Sequence, residues 1–195
     1  MNNKSASWLV TAIVIAALVL DQAFKIYVKL HFTLGETVEV FPWFNLCFIE
    51  NNGMAFGIEW FDKLFLTLFR IVAVGLLIWY IHTLIRNKAR IVYIVFVTLV
   101  LAGALGNIID CLFYGLLFSE STYLDVAQFL PAGGGYAPFF YGRVVDMLYF
   151  PLIHNSAGEV IFFRPVFNIA DSYITVAVIA IVLFFTKDLN ASLSK

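Results

Sequence analysis

The sequence predicts an all-α membrane protein with four transmembrane helices, a small extracytoplasmic β-rich element and a surface loop insertion. Composition carries the first part: of 195 residues, 62% are hydrophobic, 13% are charged and phenylalanine occurs 21 times. A mean hydropathy of +0.92 belongs to a chain that lives in lipid. Spacing carries the second part. A spanning helix needs about 20 mostly apolar residues, and the stretches 8–30, 61–85, 91–113 and 167–186 meet that need. With no repeat, low-complexity tract or soluble domain between them, residues 1–195 read as a single integral membrane domain.

The first stretch follows Lys4 and runs into Asp21 and Lys25 without a small-residue cleavage pattern, so it reads as an uncleaved helix. Basic residues crowd into the connection Arg86, Lys88 and Arg90, and recur as Lys4, Lys187 and Lys195. Such short basic segments stay cytoplasmic, which predicts both termini inside. Two outer loops remain, about 31–60 and 114–166. In the first, alternation over Thr37 to Val40 and the aromatic run Pro42 to Ile49 predict short strands near the membrane surface. The second begins with the polar, glycine-rich excursion Ser119 to Gly135, which reads as a mobile surface insertion. It returns through Gly142 to Pro151 as a further strand carrying Asp146.

Ionisable groups inside membrane segments are costly and mark function by default. Asp21 and Lys25 lie one turn apart on the first helix and can pair, a reading in which they are structural. Asn107 and Asp110 share a face near the outer end of the third helix, either bonding between helices or capping that end. Ala102, Gly103 and Gly106 before them offer small-residue surface to a neighbouring helix. Asn168 and Asp171 repeat the three-residue spacing at the outer mouth of the fourth helix, where Asn168 is also a natural N-cap. Asn51 and Gly53 lie in the first outer loop, and Asp146 just precedes the fourth helix with Arg143 close enough in sequence to neutralise it. The predicted topology carries all these groups to one outer-leaflet depth.

Five blocks, LDQAFK at 20–25, NNGMAF at 51–56, GALGNIID at 103–110, GRVVDM at 142–147 and FNIAD at 167–171, resemble the ordered signature blocks of lipoprotein signal peptidase, the bacterial signal peptidase II. The resemblance spans about 150 residues. It implies an intramembrane aspartyl endopeptidase of the bacterial inner membrane that removes the signal peptide from diacylglyceryl-modified prolipoproteins, amino-terminal to the lipidated cysteine. By position in the blocks, Asp146 and Asp171 match the catalytic pair. Asp21, Lys25, Asn51, Gly53, Gly106, Asn107, Asp110, Asn168 and Ala170 match supporting positions, and Arg143 is grouped with them as a binding or structural residue. The resemblance also implies inhibition by globomycin-type cyclic peptides. Two departures stand out: Cys111 occupies the place where the family usually has arginine, for which Arg143 or Arg164 are the available substitutes, and the Ser119 to Gly135 excursion exceeds the family's compact forms.

Residue chemistry agrees with that implication. Two carboxyls that share one proton supply both the base that activates water and the acid that polarises the carbonyl and protonates the leaving nitrogen. Which aspartate begins as base stays open at this level. No metal or cofactor is called for: His31, His82 and His154 are scattered and no HExxH pair exists. Cys47 and Cys111 have no histidine nearby in sequence for a thiol mechanism, and a disulfide between them is one alternative. Trp43, Phe44, Phe48, Trp60 and Phe61 suit an interfacial aromatic belt against membrane lipid. A net charge of −1 with short basic clusters argues against nucleic acid. Two other classes place polar groups in helices, a small proton-coupled transporter and a non-enzymatic membrane scaffold; the first more typically shows internal repeats.

Overall fold

Helix α1 runs from Asn3 to His31, 29 residues, or about 43 Å at 1.5 Å per residue, ample for a bilayer core. The computed structural model in which it is seen describes residues 2–51, 63–154, 160–162 and 165–194. Gly53, Trp60, Phe61, Arg164 and Lys195, with the NNGMAF block beyond Asn51, lie outside the described residues. After α1 come strands β1 (Thr37–Phe41) and β2 (Phe44–Asn51), then helices α2 (Lys63–Arg86) and α3 (Ile91–Ile109). A π-helical turn, Asp110–Tyr114, and a short α4 (Gly115–Leu117) continue α3. Strands β3 (Val144–Tyr149), β4 (Ile153–His154), β5 (Val160–Phe162) and β6 (Val166–Phe167) precede α5 (Ile169–Phe184) and α6 (Thr186–Leu193). Among the described residues three helices are long and apolar enough to cross a membrane, and up to four spans exist if the bent pair α5 and α6 counts as one.

The chain forms two units. A helical unit comprises Met1–Asp21, Leu68–Ile108 and Ile169–Lys195, and a sheet unit comprises Gln22–Thr67 and Ile109–Asn168. In the helical unit, α3 and α5 approach closely at Gly103, where a side chain would meet the Ala170 carbonyl oxygen and Ile174. The small-residue surface expected from Ala102, Gly103 and Gly106 is therefore used. The fourth apolar stretch differs from its predicted 167–186. Residues 166–167 are strand, α5 begins at Ile169, and its 16 residues span only about 24 Å. At Phe185 the chain turns by 87° into the polar α6. Phe185 packs against Tyr93 and Phe96 with the Arg90 guanidinium 5.2 Å from its ring, and Arg90 reaches Asp188 at 3.4 Å. Those contacts anchor the turn just where the apolar run gives way to Thr186, Lys187 and Asp188.

The sheet unit contains a four-stranded antiparallel sheet in the order β1-β2-β3-β6. The strands expected around Thr37 to Ile49 and around Asp146 are β1, β2 and β3. Phe48, predicted as part of an interfacial belt, is instead fully buried with Val28, Phe118, Val145 and Met147. Alternation along β2 turns it inward, whereas Phe41 and Trp43 remain exposed and stack at 5.5 Å. The third apolar stretch also departs from a plain helix over 91–113, because α3 gives way to the π-helical turn at Asp110. There Gly142 donates its N–H to the Cys111 carbonyl at 2.9 Å. A side chain at Gly142 would strike the Asp110 carbonyl oxygen and come within 3.0 Å of the Gly115 nitrogen, so only glycine permits this approach.

The Ser119 to Gly135 excursion lies largely at the surface, as expected, and is tied down at several points. Phe118 bridges to Phe129, Ser119 bonds Gln128 at 2.9 Å and Leu34 bonds the Thr122 carbonyl at 2.8 Å. Its Ser121 is buried. The physical reason lies in α1: the fully buried Lys29 ammonium draws the Ser121 hydroxyl inward at 2.9 Å.

Candidate active site

Asp146 lies mid-strand in β3, opposite Ile49 of β2, and is 3% exposed. A strand position fixes its direction, and two carboxamides complete its seat. Asn51, at the end of β2, donates to Oδ2 at 3.0 Å, and Asn168, the residue before α5, donates to Oδ1 at 2.7 Å. Both carboxylate oxygens thus receive an oriented N–H inside an apolar unit, where such bonds gain strength. Asn168 occupies the N-cap position expected of it, and its amide serves Asp146.

Asp171 lies in the first turn of α5 and is half-buried. Asn107 of α3 donates to its Oδ1 at 2.8 Å, and the unsatisfied N–H groups of a helix start favour negative charge there. In the same unit, buried Asp21 accepts the Ala170 N–H at 2.9 Å and so caps α5 from α1. Gly106 makes room for it: a Cβ at that position would lie 2.6 Å from the Asp21 carboxylate and 3.1 Å from the Ala170 methyl. Asp21, Gly106, Asn107 and Ala170 are therefore four contributors to the seat of α5 and of Asp171.

Asp110, fully buried, supports β3. Lys25 of α1 reaches its Oδ2 at 2.8 Å, Gln22 donates to Oδ1 at 2.9 Å, and the Val145 backbone N–H donates at 3.2 Å. Tyr114 in turn donates to Gln22 Oε1 at 3.0 Å. Of the readings open for Asp110, the tie to another element prevails, since it holds the residue beside Asp146. Lys25 makes an ion pair with Asp110. Cys111 is a buried thiol and Cys47 a half-buried one, with no disulfide between them.

Arg143 corrects another expectation. Instead of neutralising Asp146 it spans Glu50 at 3.0 Å and Glu120 at 3.1 Å. Arg143 precedes β3, and the buried Glu50 carboxylate beside Lys29 gives it a partner there. Burial pulls the Arg143 guanidinium down, but its bonds to Glu50 and Glu120 outweigh that and raise it. Burial also pushes the Tyr136 hydroxyl well above the ordinary phenol range, and that hydroxyl accepts the Arg143 N–H at 2.6 Å.

Sequence reasoning missed Gln22, Lys29, Glu50, Ser121 and Tyr136. Lys29 was within reach, because Asp21, Lys25 and Lys29 recur every four residues and form one helical stripe. Lys29 pairs with Glu50, and its Nζ lies 5.0 Å from the Tyr136 ring, 5.5 Å from Phe118 and 5.9 Å from Phe48. Gly53 lies outside the described residues.

Carboxylates seated by carboxamides, in a multi-pass chain of apolar helices, are the polar centre of this membrane protein. Comparison with known proteins narrows this. The chain belongs to the Signal peptidase (SPase) II family, whose profile matches residues 13–187, and it is accordingly a membrane protease rather than a transporter or scaffold. It is 44% identical to a lipoprotein signal peptidase of Porphyromonas gingivalis, covering 93% of this chain and 84% of that one. A lipoprotein signal peptidase of Amoebophilus asiaticus is 34% identical, with 96% and 80% covered. Two solved structures of a bacterial membrane enzyme obtained by the in meso method, at 2.3 and 1.9 Å, each share 26% identity, with TM-scores of 0.63 and 0.62. They cover 93% and 92% of this chain, and 89% and 94% of theirs.

Proposed function

We propose that the protein is an intramembrane aspartyl endopeptidase that removes the signal peptide from diacylglyceryl-modified prolipoproteins, cutting on the amino side of the lipidated cysteine. Membership of a family that cleaves signal peptides from prolipoproteins supports the reaction. The observation that carries the residue assignment is that Asn51, Asn107 and Asn168, each from a different signature block, donate their amides to Asp146 or Asp171.

In this reading Asp146 and Asp171 act as a pair on the scissile amide. One carboxylate takes a proton from water as the oxygen attacks the carbonyl carbon. The other, protonated, donates a hydrogen bond to the carbonyl oxygen and stabilises the charge that gathers there. Collapse of the tetrahedral species breaks the C–N bond, and the proton held by the first aspartate passes to the leaving nitrogen. Asn51, Asn107 and Asn168 orient the pair; Asp21, Lys25, Asp110, Gly106 and Ala170 hold the elements that carry it.

The basic residues Lys4, Arg86, Lys88, Arg90 and Lys187 support termini on the cytoplasmic side of the bacterial inner membrane. With four spans, the sheet faces outward and cleavage occurs towards the outer leaflet. Substrate acyl chains keep the scissile peptide at membrane depth, and exposed Phe41 and Trp43 suit the lipid interface. Globomycin-type cyclic peptides then compete with substrate. The test is a gel-shift assay of purified protein in detergent with a lipidated prolipoprotein. Cleavage by wild type that is lost in both Asp146→Asn and Asp171→Asn supports the pair; full processing by either variant overturns it.

A further inference from the structure

Glu50 is buried, its side chain 2% exposed, and is gripped from three directions. Lys29 from α1 pairs with Oε1, and the Ser121 hydroxyl from the folded excursion donates to the same oxygen at 3.1 Å. Arg143, at the entrance to β3, holds Oε2 at 3.0 Å. Lys29 also donates to Ser121 at 2.9 Å, and Arg143 extends to Glu120 at 3.1 Å. Two cations and two anions therefore balance, and aromatic rings of Phe48, Phe118 and Tyr136 surround the Lys29 ammonium.

Glu50 immediately precedes Asn51, and in the β2–β3 ladder it pairs with Val145 as Asn51 pairs with Val144 and Ile49 with Asp146. A bonded grip at Glu50 fixes the last residues of β2 where they lie beside β3. Lateral drift there of an ångström would carry the Asn51 amide away from Asp146 Oδ2.

From this we infer that Glu50 is a positioning residue for peptide cleavage: clamped by Lys29, Ser121 and Arg143, it holds Asn51 in place to orient Asp146. This makes the Ser119 to Gly135 excursion a working part of the scaffold, because Ser121 and Glu120 belong to the clamp. The inference rests on the peptidase reading for its catalytic half, while the clamp itself is testable without turnover. Mere stabilisation of the fold would lower the amount of active protein; positioning lowers turnover in protein that is folded and binds substrate.

The experiment compares wild type, Glu50→Gln, Asn51→Ala and the double variant in full-length detergent-solubilised protein. Lys29→Met combined with Glu50→Gln is included so that a folded variant exists if the lone Lys29 ammonium unfolds the first. Kinetics on a lipidated prolipoprotein peptide are expected to show kcat for Glu50→Gln falling between about tenfold and a hundredfold, with KM held within about twofold. In the Asn51→Ala background the same change is expected to cost little more, since its effect passes through Asn51. Additive losses, or a raised KM with kcat intact, overturn positioning. Hydrogen exchange read on the same proteins is expected to quicken at Ile49 to Asn51 and Val144 to Asp146, with α3 unchanged; unchanged exchange in the strands overturns the clamp. If wild type cuts no lipidated substrate, the peptidase reading fails and with it the catalytic half, while exchange still decides the clamp.

Discussion

Asp146 sits mid-strand, 3% exposed, with a carboxamide on each oxygen. Asp171 sits half-buried in the first turn of a helix, with the Asn107 amide on one oxygen and the positive end of α5 behind it. One seat lies within a strand between two carboxamides, the other in the first turn of a helix with a carboxamide from a neighbouring helix. A seat of side chains must be supported at every donor, and the sheet unit accordingly invests a buried network around it: Asp110 with Lys25, Gln22 and Val145, and Glu50 with Lys29, Ser121 and Arg143. The helix start is held by a buried cap from Asp21 and by close packing at Gly106.

The largest effects test whether the two seats serve one reaction. Asp146→Asn and Asp171→Asn are each expected to lower kcat by at least about a thousandfold in the gel-shift assay. They should part in stability. Asn at 146 presents an NH2 group to one of the two amide donors, leaving a buried donor facing a donor, so it is expected to lose about 2 kcal/mol more than Asn at 171. Equal thermal melting of the two variants would erase the difference between the seats.

Next come the donors. Asn168→Ala removes a fully buried amide from Asp146 and is expected to lower kcat about a hundredfold, against about tenfold for Asn107→Ala at the more accessible Asp171. Steady-state kinetics that reverse this order would show the helix start to be the more dependent seat.

Glycine replacements probe the support behind each seat. Gly142→Ala drives a methyl into backbone atoms of the π-helical turn, which cannot step aside, and is expected to cost about 3 kcal/mol. Gly106→Ala meets the Asp21 carboxylate and the Ala170 methyl, a softer obstruction expected to cost about 1–2 kcal/mol. Melting in detergent ranks them, and a larger loss at Gly106 would contradict the ranking.

The smallest effect is alkaline. Tyr136 is held protonated in the fold above the ordinary phenol value of 10.0, chiefly by burial. Its contribution to stability is fully present below that value and is lost as pH climbs from there toward the raised folded-state value. Tyr136→Phe is expected to flatten that alkaline decline, while costing about 1 kcal/mol at neutral pH through loss of the acceptor for Arg143. A decline of the same slope in the variant would assign it to other groups.

What the sequence by itself determined is the lipid-spanning character, the strands around Thr37, Ile49 and Asp146, and the small-residue face of α3. Each follows from a local period or from composition, which the chain displays without reference to distant parts. The aspartates proposed as catalytic, and their asparagines, stood out by spacing and predicted depth, while the roles proposed for them came from ordered blocks resembling a family. Tertiary structure alone decided the partners. Arg143 left Asp146 for Glu50 and Glu120, Phe48 left the interface for the core, α5 stopped short and bent at Phe185, and Lys29 drew Ser121 and Glu50 into a buried network. Those outcomes depend on which charge or ring occupies a space enclosed by residues as far apart in sequence as 29, 50, 121 and 143, and no local pattern encodes that meeting.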